Sequence, residues 1–449
     1  MLDRWLYKQV DNSALVVFRV IFGFLITCEA WGAIATGWIR STLMEPQQTF
    51  NFIGFDFLQP LPGDAMYFYY GVMGLFGVLI MLGYKYRFSV LAYGVMWSCV
   101  YLMQKSSYNN HYYLLILLLG IMACFPANRY LSIDAKQNPE IKQNFMPRWV
   151  YIVIIAQLWI VYTYASVAKL YPDWLDASVA GQLMQSKADY WLVGEMLQQK
   201  WVHWCIAYFG IFFDLLIIPA LLWKRTRKAA FIISIFFHLF NSFIFHIGIF
   251  PYLSLAFTLF FFPAKTIQRI FLPKKSFYDA GEVIRPKNYK PLLVVFGLYF
   301  LVQIGLPLRH WFIEDNVLWT EEGHRLSWRM MLRSKSGRIH FKIVDKSTGR
   351  ELPFNHRDWL SRKELRSVSV KPDCIWQFCQ RVKEDYAAKG TDVAIYVDCK
   401  ISVNSRPYHT LINPEVNMAT AEWDYFWHND WLMPSPDLSK REVKEEVLE

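Results

Sequence analysis

Long apolar segments constrain this chain more than any other feature. Nine of them are long and apolar enough to cross a membrane as helices. These predicted spans are residues 12–37, 65–84, 88–104, 109–126, 149–168, 202–223, 229–247, 248–263 and 291–308. Hydrophobic residues make up 54% of the 449 residues, more than one soluble core of this length would bury. The sequence therefore predicts a mainly α-helical, polytopic membrane bundle of about nine spans, with the seventh or eighth broken or re-entrant near Gly248 and Pro251.

The lysines and arginines between the predicted spans indicate an orientation. Basic clusters precede the first span and follow the second, fourth, sixth and eighth, whereas segments 38–64 and 105–108 carry only Arg40 and Lys105. Because positive loops stay cytoplasmic, we expect the N-terminus inside and, after an odd number of spans, the C-terminus outside. The net charge of +10 reflects mostly this bias and favours anionic lipid headgroups as partners. Nucleic acid is not implied.

The composition turns polar at about residue 309. Apolar and polar residues alternate at 339–343 and again at 393–403, which is typical of half-buried strands. Between them, apolar residues recur at helical spacing from Ile375 to Tyr386. We therefore expect a membrane domain over residues 1–308 and a small α+β domain over residues 309–449 that faces outward.

The cysteines of this second domain are Cys374, Cys379 and Cys399. Their odd number allows one internal disulfide at most, and a bond between Cys374 and Cys379 would be strained on a helix. No spacing of cysteine and histidine resembles a metal site, so no metal is expected.

Ionisable residues inside the predicted spans are candidates for structural or functional roles, because charge at membrane depth is costly. Arg19 and Glu29 lie in the first span and Asp214 in the sixth. We predict a structural role for these three residues, in which Arg19 pairs with Glu29 or Asp214 and holds the helices in register.

A polar stripe runs along the seventh span. His238, Asn241, Ser242 and His246 are spaced at steps of three and four, so they share one helix face, which we expect to point into the bundle. The stripe could be a hydrogen-bonding seam between helices or part of a site. A haem or metal site is less favoured, because the two histidines are eight residues apart and no carboxylate pattern accompanies them.

Lys169 ends the fifth predicted span, and Asn109-Asn110-His111 opens the fourth on the same side of the membrane. A lysine at the edge of the hydrocarbon can lose its proton through desolvation and act as a base, or it can extend to the headgroups. Asn109 could equally be a helix N-cap. We predict that Lys169 and His111 border one cavity, where no carboxylate stabilises the lysine charge.

Several motifs together resemble the vitamin K-dependent gamma-glutamyl carboxylases and their shorter bacterial relatives. The matching segments are Ser107-Tyr108-Asn109-Asn110-His111, Ala168-Lys169-Leu170 with Asp173-Trp174, Phe237-His238 with Asn241-Ser242, and Trp319-Thr320 with Ser327-Trp328 and Met330-Met331. Tyr108 stands where the family has tryptophan, and Ala168 replaces the first of two family lysines. The resemblance covers most of the chain.

The resemblance implies an integral membrane enzyme, in a bacterial inner membrane, that uses reduced vitamin K, O2 and CO2 to carboxylate glutamyl side chains of a peptide or protein. Lys169 matches the base that deprotonates the hydroquinone, and His111 matches the histidine associated with carboxylation. The implied substrate-binding residues are Asn109, Asn110, His238, Asn241, Ser242, Trp319 and Trp328.

Two alternatives stay open from the sequence. The animal enzymes carry a longer C-terminal region that serves recognition of long protein substrates, so this chain could epoxidise the quinol without carboxylating protein. It could also be a non-enzymatic membrane scaffold that binds a quinone or lipid and docks a partner through its outer domain. The oligomeric state and the natural glutamyl substrate are left open as well.

Overall fold

The computed structural model describes residues 2–47, 49–287, 289–330 and 332–437. The helices are α1 (Leu2–Leu6), α2 (Ser13–Ala35), α3 (Ala65–Leu82), α4 (Tyr86–Met103), α5 (Asn110–Cys124), α6 (Ile133–Gln137), α7 (Trp149–Val167), α8 (Pro172–Leu175), α9 (Ser178–Gln185), α10 (Gly194–Leu197), α11 (Lys200–Leu222), α12 (Arg227–Phe245), α13 (Phe250–Phe257), α14 (Ala264–Phe271), α15 (Tyr289–Leu308), α16 (Val317–Thr320), α17 (Arg362–Val368) and α18 (Pro372–Ala388). The strands are β1 (Gln9–Asp11), β2 (Phe145–Pro147), β3 (Lys335–Asp345), β4 (Glu351–Leu352), β5 (Val393–Val403) and β6 (His409–Thr410).

Six of the described helices are long and apolar enough to cross a membrane, namely α2, α3, α7, α11, α12 and α15. A seventh crossing is possible if segments 250–260 and 264–271, which meet at 118°, form one bent span. This bend lies at residues 261–263, whereas the break predicted near Gly248 and Pro251 coincides with the end of α12 and the start of α13. Helix α4 is long enough but not apolar enough, and α5 has only 15 residues. The chain is an integral membrane protein, but the count of nine spans is not confirmed.

Helix α2 packs closely against α3 through small residues. A Cβ built on Gly23 would lie 2.4 Å from the backbone nitrogen of Met81, and one on Gly77 would lie 2.4 Å from Oγ1 of Thr27. Helices in a membrane associate by such close approach, because lipid gives no hydrophobic drive for association. On its other side α2 contacts α13 and α14, while α7 packs against α11 and α15. Helix α2 thus lies inside the bundle, whereas α15 lies at its edge.

The predicted pairing of Arg19 is wrong. This side chain is fully buried, but Nη1 donates to the carbonyl of Ala127 at 2.8 Å and Nη2 donates to the carbonyl of Leu131. Backbone carbonyls just beyond the end of α5 thus take the place of a carboxylate. Arg19 keeps a structural role, because it ties α2 to the loop that follows α5.

The C-terminal domain contains an antiparallel sheet in the order β4-β3-β5-β6. In its centre Phe341 is paired with Val397 and Ile343 with Ile395. Helix α18 packs on β5, and their apolar side chains form one core. The strands predicted at 339–343 and 393–403 and the helix predicted at 375–386 are confirmed. Cys374, Cys379 and Cys399 are separate buried thiols in this core.

Polar contacts attach this domain to the membrane domain. Lys105, between α4 and α5, lies 2.6 Å from Oδ2 of Asp373 at the start of α18, and Arg325 lies 2.7 Å from the same oxygen. Nearby, the hydroxyl of Tyr108 accepts from the backbone nitrogen of Leu326 at 2.7 Å. The segment that follows α16 is therefore held against one end of the bundle.

Candidate active site

A cavity of about 750 Å³ lies where the two domains meet. It is lined by α2, α4, α5, the turn between α12 and α13, and residues 324, 329, 330, 332 and 333 of the C-terminal domain. The aromatic side chains that line it are Trp38, Tyr70, Trp97, Tyr108, Tyr112 and Phe250. The polar and charged side chains are Glu29, Asn109, Asn110, His111, His246, His324, Arg329 and Arg333. The cavity is large enough for a small aromatic molecule and a polar side chain together.

The three residues Asn109, Asn110 and His111 have different roles in the cavity wall. Oδ1 of Asn109 accepts from the backbone nitrogen of Tyr112 at 2.8 Å and caps α5, as the N-cap reading of the sequence predicts. Nδ2 of Asn110 donates to the carbonyl of Arg329 at 3.0 Å, which joins the membrane domain to the tail. The ring of His111 packs on Phe250, with 4.1 Å between the centroids. His111 is therefore the member of this motif whose ring meets the aromatic wall.

Lys169 has a carboxylate partner, contrary to the sequence prediction. Its Nζ lies 2.6 Å from Oδ2 of Asp214 and donates to the carbonyl of Ala165 at 2.9 Å. Both charged side chains are buried, so Lys169 does not extend into solvent. Proximity to Asp214 was not visible in the sequence, because the two residues are 45 positions apart. Asp214 is thus the partner of Lys169 and not of Arg19.

The prediction that Lys169 and His111 border one cavity is not met by either of two large cavities formed by the described residues. His111 lines the first cavity. A second cavity, of about 640 Å³, is lined by Ala168 but not by Lys169. Lys169 turns away from both cavities and toward α11, where Asp214 lies.

The polar stripe of α12 connects these two regions. Nε2 of His238 lies 3.1 Å from the hydroxyl of Tyr162 in α7, whose ring packs edge-on against Phe213, next to Asp214 in α11. On its other side, the ring of His238 faces Phe250 at 6.5 Å between centroids. Ser242 is hydrogen-bonded to the hydroxyl of Tyr252, Asn241 is half-buried, and His246 lines the cavity. The stripe is therefore both a seam between helices and a polar row that runs toward the cavity.

Arg329 is a site residue that sequence reasoning missed. It lines both cavities, its side chain is buried, and Nη1 lies 3.2 Å from Nε2 of His310. Within the described ranges it forms no ion pair, and its Nε has no hydrogen-bond partner. Neighbouring Arg325 and Arg333, by contrast, pair with Asp373 and Glu321. Burial lowers the pKa of Arg329 to about 10, with a further contribution from Arg333, so the guanidinium is still charged at neutral pH.

Two family models match the chain, one for each side of the cavity. The HTTM domain matches residues 7–265, and the lumenal domain of vitamin K-dependent gamma-carboxylase matches residues 288–438. The chain belongs to the vitamin K-dependent gamma-carboxylase family. The resemblance drawn from the motifs is thereby confirmed. No solved structure matches this carboxylase-family chain.

Two candidate tryptophans of this carboxylase-family protein lie away from the cavities. Trp319 is buried in the core of the C-terminal domain, and its Nε1 donates to the carbonyl of Met433 at 2.9 Å. Trp328 is also buried and stacks on Tyr113, with 5.0 Å between the ring centroids. Neither is among the residues that line the two cavities in the described part of the chain. Their observed contacts are structural, and Trp328 helps to fix the position of Arg329 next to it.

Proposed function

We propose that this protein is an integral membrane gamma-glutamyl carboxylase that depends on reduced vitamin K, with the first cavity as its active site. The observation that carries the proposal is the combination of aromatic walls, His111 and a buried arginine without a carboxylate partner in one cavity of about 750 Å³. An apolar ring system and a carboxylate side chain are the two ligands that this combination suits. Both domains of the family contribute to it.

The cavity residues have separate tasks in this proposal. The rings of Trp97, Tyr112 and Phe250 hold the naphthohydroquinone by stacking and apolar contact. Arg329 receives the carboxylate of the glutamyl side chain, because its charge has no internal partner among the described residues. When bound, reduced vitamin K supplies with O2 the strong base that removes a γ-hydrogen, after which CO2 adds to the γ-carbon. His111 lies at the aromatic wall as the residue that assists carboxylation.

Lys169 acts in this proposal as the base for the hydroquinone, together with Asp214. A buried lysine and carboxylate at 2.6 Å exchange a proton within the pair, so the pair can accept a further proton as a unit. In this proposal the proton reaches the pair by way of His238 and Tyr162, whose Nε2 and hydroxyl lie 3.1 Å apart between the cavity side and α11. Asp214 thereby gains a chemical role beyond the structural one predicted for it.

The proposed location is a bacterial inner membrane, with the N-terminus in the cytoplasm and the C-terminal domain on the outer face. Support comes from the basic loops, which fall on one side of the predicted spans. The cavity lies next to the outward domain in this orientation. A glutamate-containing peptide or protein would then reach it from outside, while the apolar quinone enters from lipid.

The test is an assay of two products from one reaction. Protein reconstituted in vesicles receives reduced vitamin K, oxygen, labelled bicarbonate and a glutamyl peptide, and both peptide label and quinone epoxide are measured. We expect both products from the unchanged protein. Lys169→Ala and His111→Ala should each lower label by about 100-fold or more, because positioned acid–base groups contribute that much. Lys200→Ala, which removes an exposed lysine at the start of α11, should leave both products unchanged.

The outcomes separate the three candidate functions. Epoxide without label from the unchanged protein would replace the proposal with a quinol epoxidase. Neither product, despite measurable binding of the hydroquinone, would favour a non-enzymatic quinone-binding scaffold. Label that survives Lys169→Ala at the level of Lys200→Ala would remove Lys169 from the mechanism.

A further inference from the structure

Glu29 is a carboxylate in the wall of the first cavity, and it is not among the residues given a role in the proposed reaction. It lies in α2, inside the membrane domain, and is the only acidic side chain among the described residues that line the first cavity. It forms no ion pair with any residue that the structure describes, so its charge is not neutralised. An ionisable group at this depth without a counter-charge is costly and requires another explanation.

Two elements lie against Glu29, namely α5 and the turn between α12 and α13. The hydroxyl of Tyr112 and the backbone amide of Ile249 interact electrostatically with its carboxylate. Next to Ile249, Gly248 has a φ of +62°, and a Cβ built there would lie 3.4 Å from Oε2 of Glu29. The left-handed backbone at Gly248 favours glycine, and the turn between α12 and α13 lies beside the carboxylate.

Tyr112 is itself fixed by the motif that carries His111. Its backbone nitrogen donates to the Asn109 cap at 2.8 Å, and its carbonyl accepts from Nε1 of Trp97 at 3.3 Å. Its ring also packs edge-on against Trp97, with 5.0 Å between the centroids. The start of α5 thus positions two groups in the cavity, His111 directly and Glu29 through Tyr112.

The chemistry of the proposed ligand calls for two proton acceptors. Conversion of a hydroquinone and O2 to a quinone epoxide and water breaks both hydroxyl O–H bonds of the ring. These hydroxyls are at opposite ends of one ring, so a single side chain cannot contact both. The row that leads to Lys169 approaches the cavity from α7 and α12, whereas Glu29 belongs to α2.

We propose that Glu29 is a catalytic residue that accepts the proton of one hydroquinone hydroxyl. The O–H bond breaks, its electron pair stays on the ring oxygen, and the proton moves to a carboxylate oxygen of Glu29. That proton later joins the oxygen atom of O2 that leaves as water, which restores the carboxylate. The inference rests on the proposed function in one respect, namely that a hydroquinone occupies this cavity.

A binding measurement tests the contact between Glu29 and the hydroxyl without requiring turnover. Affinities for a naphthohydroquinone and for its dimethyl ether are measured without oxygen, by quenching of the cavity tryptophans. The unchanged protein should prefer the hydroquinone by about tenfold, since a hydrogen bond to a charged acceptor is lost with the ether. Glu29→Leu should abolish this preference, whereas Glu45→Gln, at an exposed glutamate that pairs with Arg40, should preserve it.

A single-turnover measurement then separates proton transfer from binding. Glu29→Gln retains an oxygen that can accept the hydroxyl hydrogen bond, so hydroquinone affinity should change by less than about threefold. Epoxide formation should nevertheless fall by about 100-fold, because an amide does not take the proton. Epoxide formation within threefold of the unchanged protein, with the variant folded by thermal unfolding, would overturn the proposal.

The two measurements also distinguish this inference from the proposed function. If the unchanged protein forms no epoxide but binds the hydroquinone and loses its preference in Glu29→Leu, the enzymatic proposal fails and the Glu29 contact stands. If the preference survives in Glu29→Leu while epoxide forms normally, the Glu29 contact fails and the enzymatic proposal stands.

Discussion

At the scale of single residues, Arg329 provides the sharpest prediction about substrate. Arg329→Gln should lower kcat/KM for a glutamyl peptide by about ten- to a hundredfold, mainly through KM, because one hydrogen bond between two charged groups is lost. Arg329→Lys should recover only part of the loss, since lysine lacks the planar fork that matches a carboxylate. Steady-state kinetics with increasing peptide concentration measures the change.

The matched control for this prediction is Arg338→Gln, which removes an exposed arginine of β3. It should leave KM for the peptide unchanged. A KM that stays constant in Arg329→Gln while kcat falls would contradict the assignment of Arg329 to the glutamyl carboxylate.

Single residues also show which parts of the site could be predicted from the sequence. His111 lies in the cavity where its motif predicted a site, because a polar motif at the start of a span is visible locally. The partner of Lys169 and the carbonyl ligands of Arg19 were not visible, because both arise from distant segments brought together by packing. The sequence did not single out Arg329, because arginines are common in a polar domain. Only the structure shows that this one is buried without a carboxylate partner among the described residues.

At the scale of elements, the N-cap of α5 connects stability with the site. Asn109→Ala should lower the free energy of unfolding by about 1 kcal/mol, because the backbone nitrogen of Tyr112 loses its acceptor. Thermal unfolding of the purified protein in detergent measures this loss. The variant should also weaken hydroquinone binding, since Tyr112 no longer holds Glu29 firmly.

Asn109→Ser is the control for the cap, because serine accepts the same backbone hydrogen bond. It should retain nearly all of the stability. Equal stability of Asn109→Ala and Asn109→Ser would contradict the capping role.

The helices and strands differed in how clearly the spacing of apolar residues in the sequence predicted them. The strands at 339–343 and 393–403 were readable because more buried and less buried side chains alternate along 339–343 and along 395–401. Helices α4 and α5 were counted as spans from their apolar character, but α5 is short and α4 is rich in polar and aromatic side chains. Periodicity identified these helices but could not establish whether each one crosses the membrane.

At the scale of the whole molecule, Asp373 joins the two domains. Burial raises the pKa of Asp373, but Arg325 and Lys105 together outweigh that effect and hold the pKa well below its ordinary value of 3.8. A carboxyl whose pKa is lowered by folding stabilises the folded state above its unfolded pKa and loses this contribution as the pH falls. We therefore expect the domain junction to weaken progressively below about pH 4.

Asp373→Asn tests the same junction at neutral pH. It leaves Lys105 and Arg325 buried without their carboxylate, so limited proteolysis should release the C-terminal domain faster than in the unchanged protein. Asp392→Asn, which removes an exposed partner of Lys346, should be cleaved at the unchanged rate. Equal cleavage of the two variants would show that the Asp373 contacts do not hold the domains together.

The first cavity forms only where the two domains meet, and the sequence did not reveal it for that reason. Its walls come from α2, α4, α5 and the α12–α13 turn on one side and from residues 324, 329, 330, 332 and 333 on the other. Sequence patterns described the two domains separately, whereas the site arises from how they dock.

The proposed function depends most directly on a quinone that occupies the first cavity. A photoreactive naphthohydroquinone, bound without oxygen and activated by light, would mark the residues around it for identification by mass spectrometry. We predict adducts on the start of α5 near Tyr112 and on the turn that carries Phe250, both lost in competition with the unmodified hydroquinone. Competed adducts confined to the second cavity, at Tyr171 or Trp311, would contradict the claim.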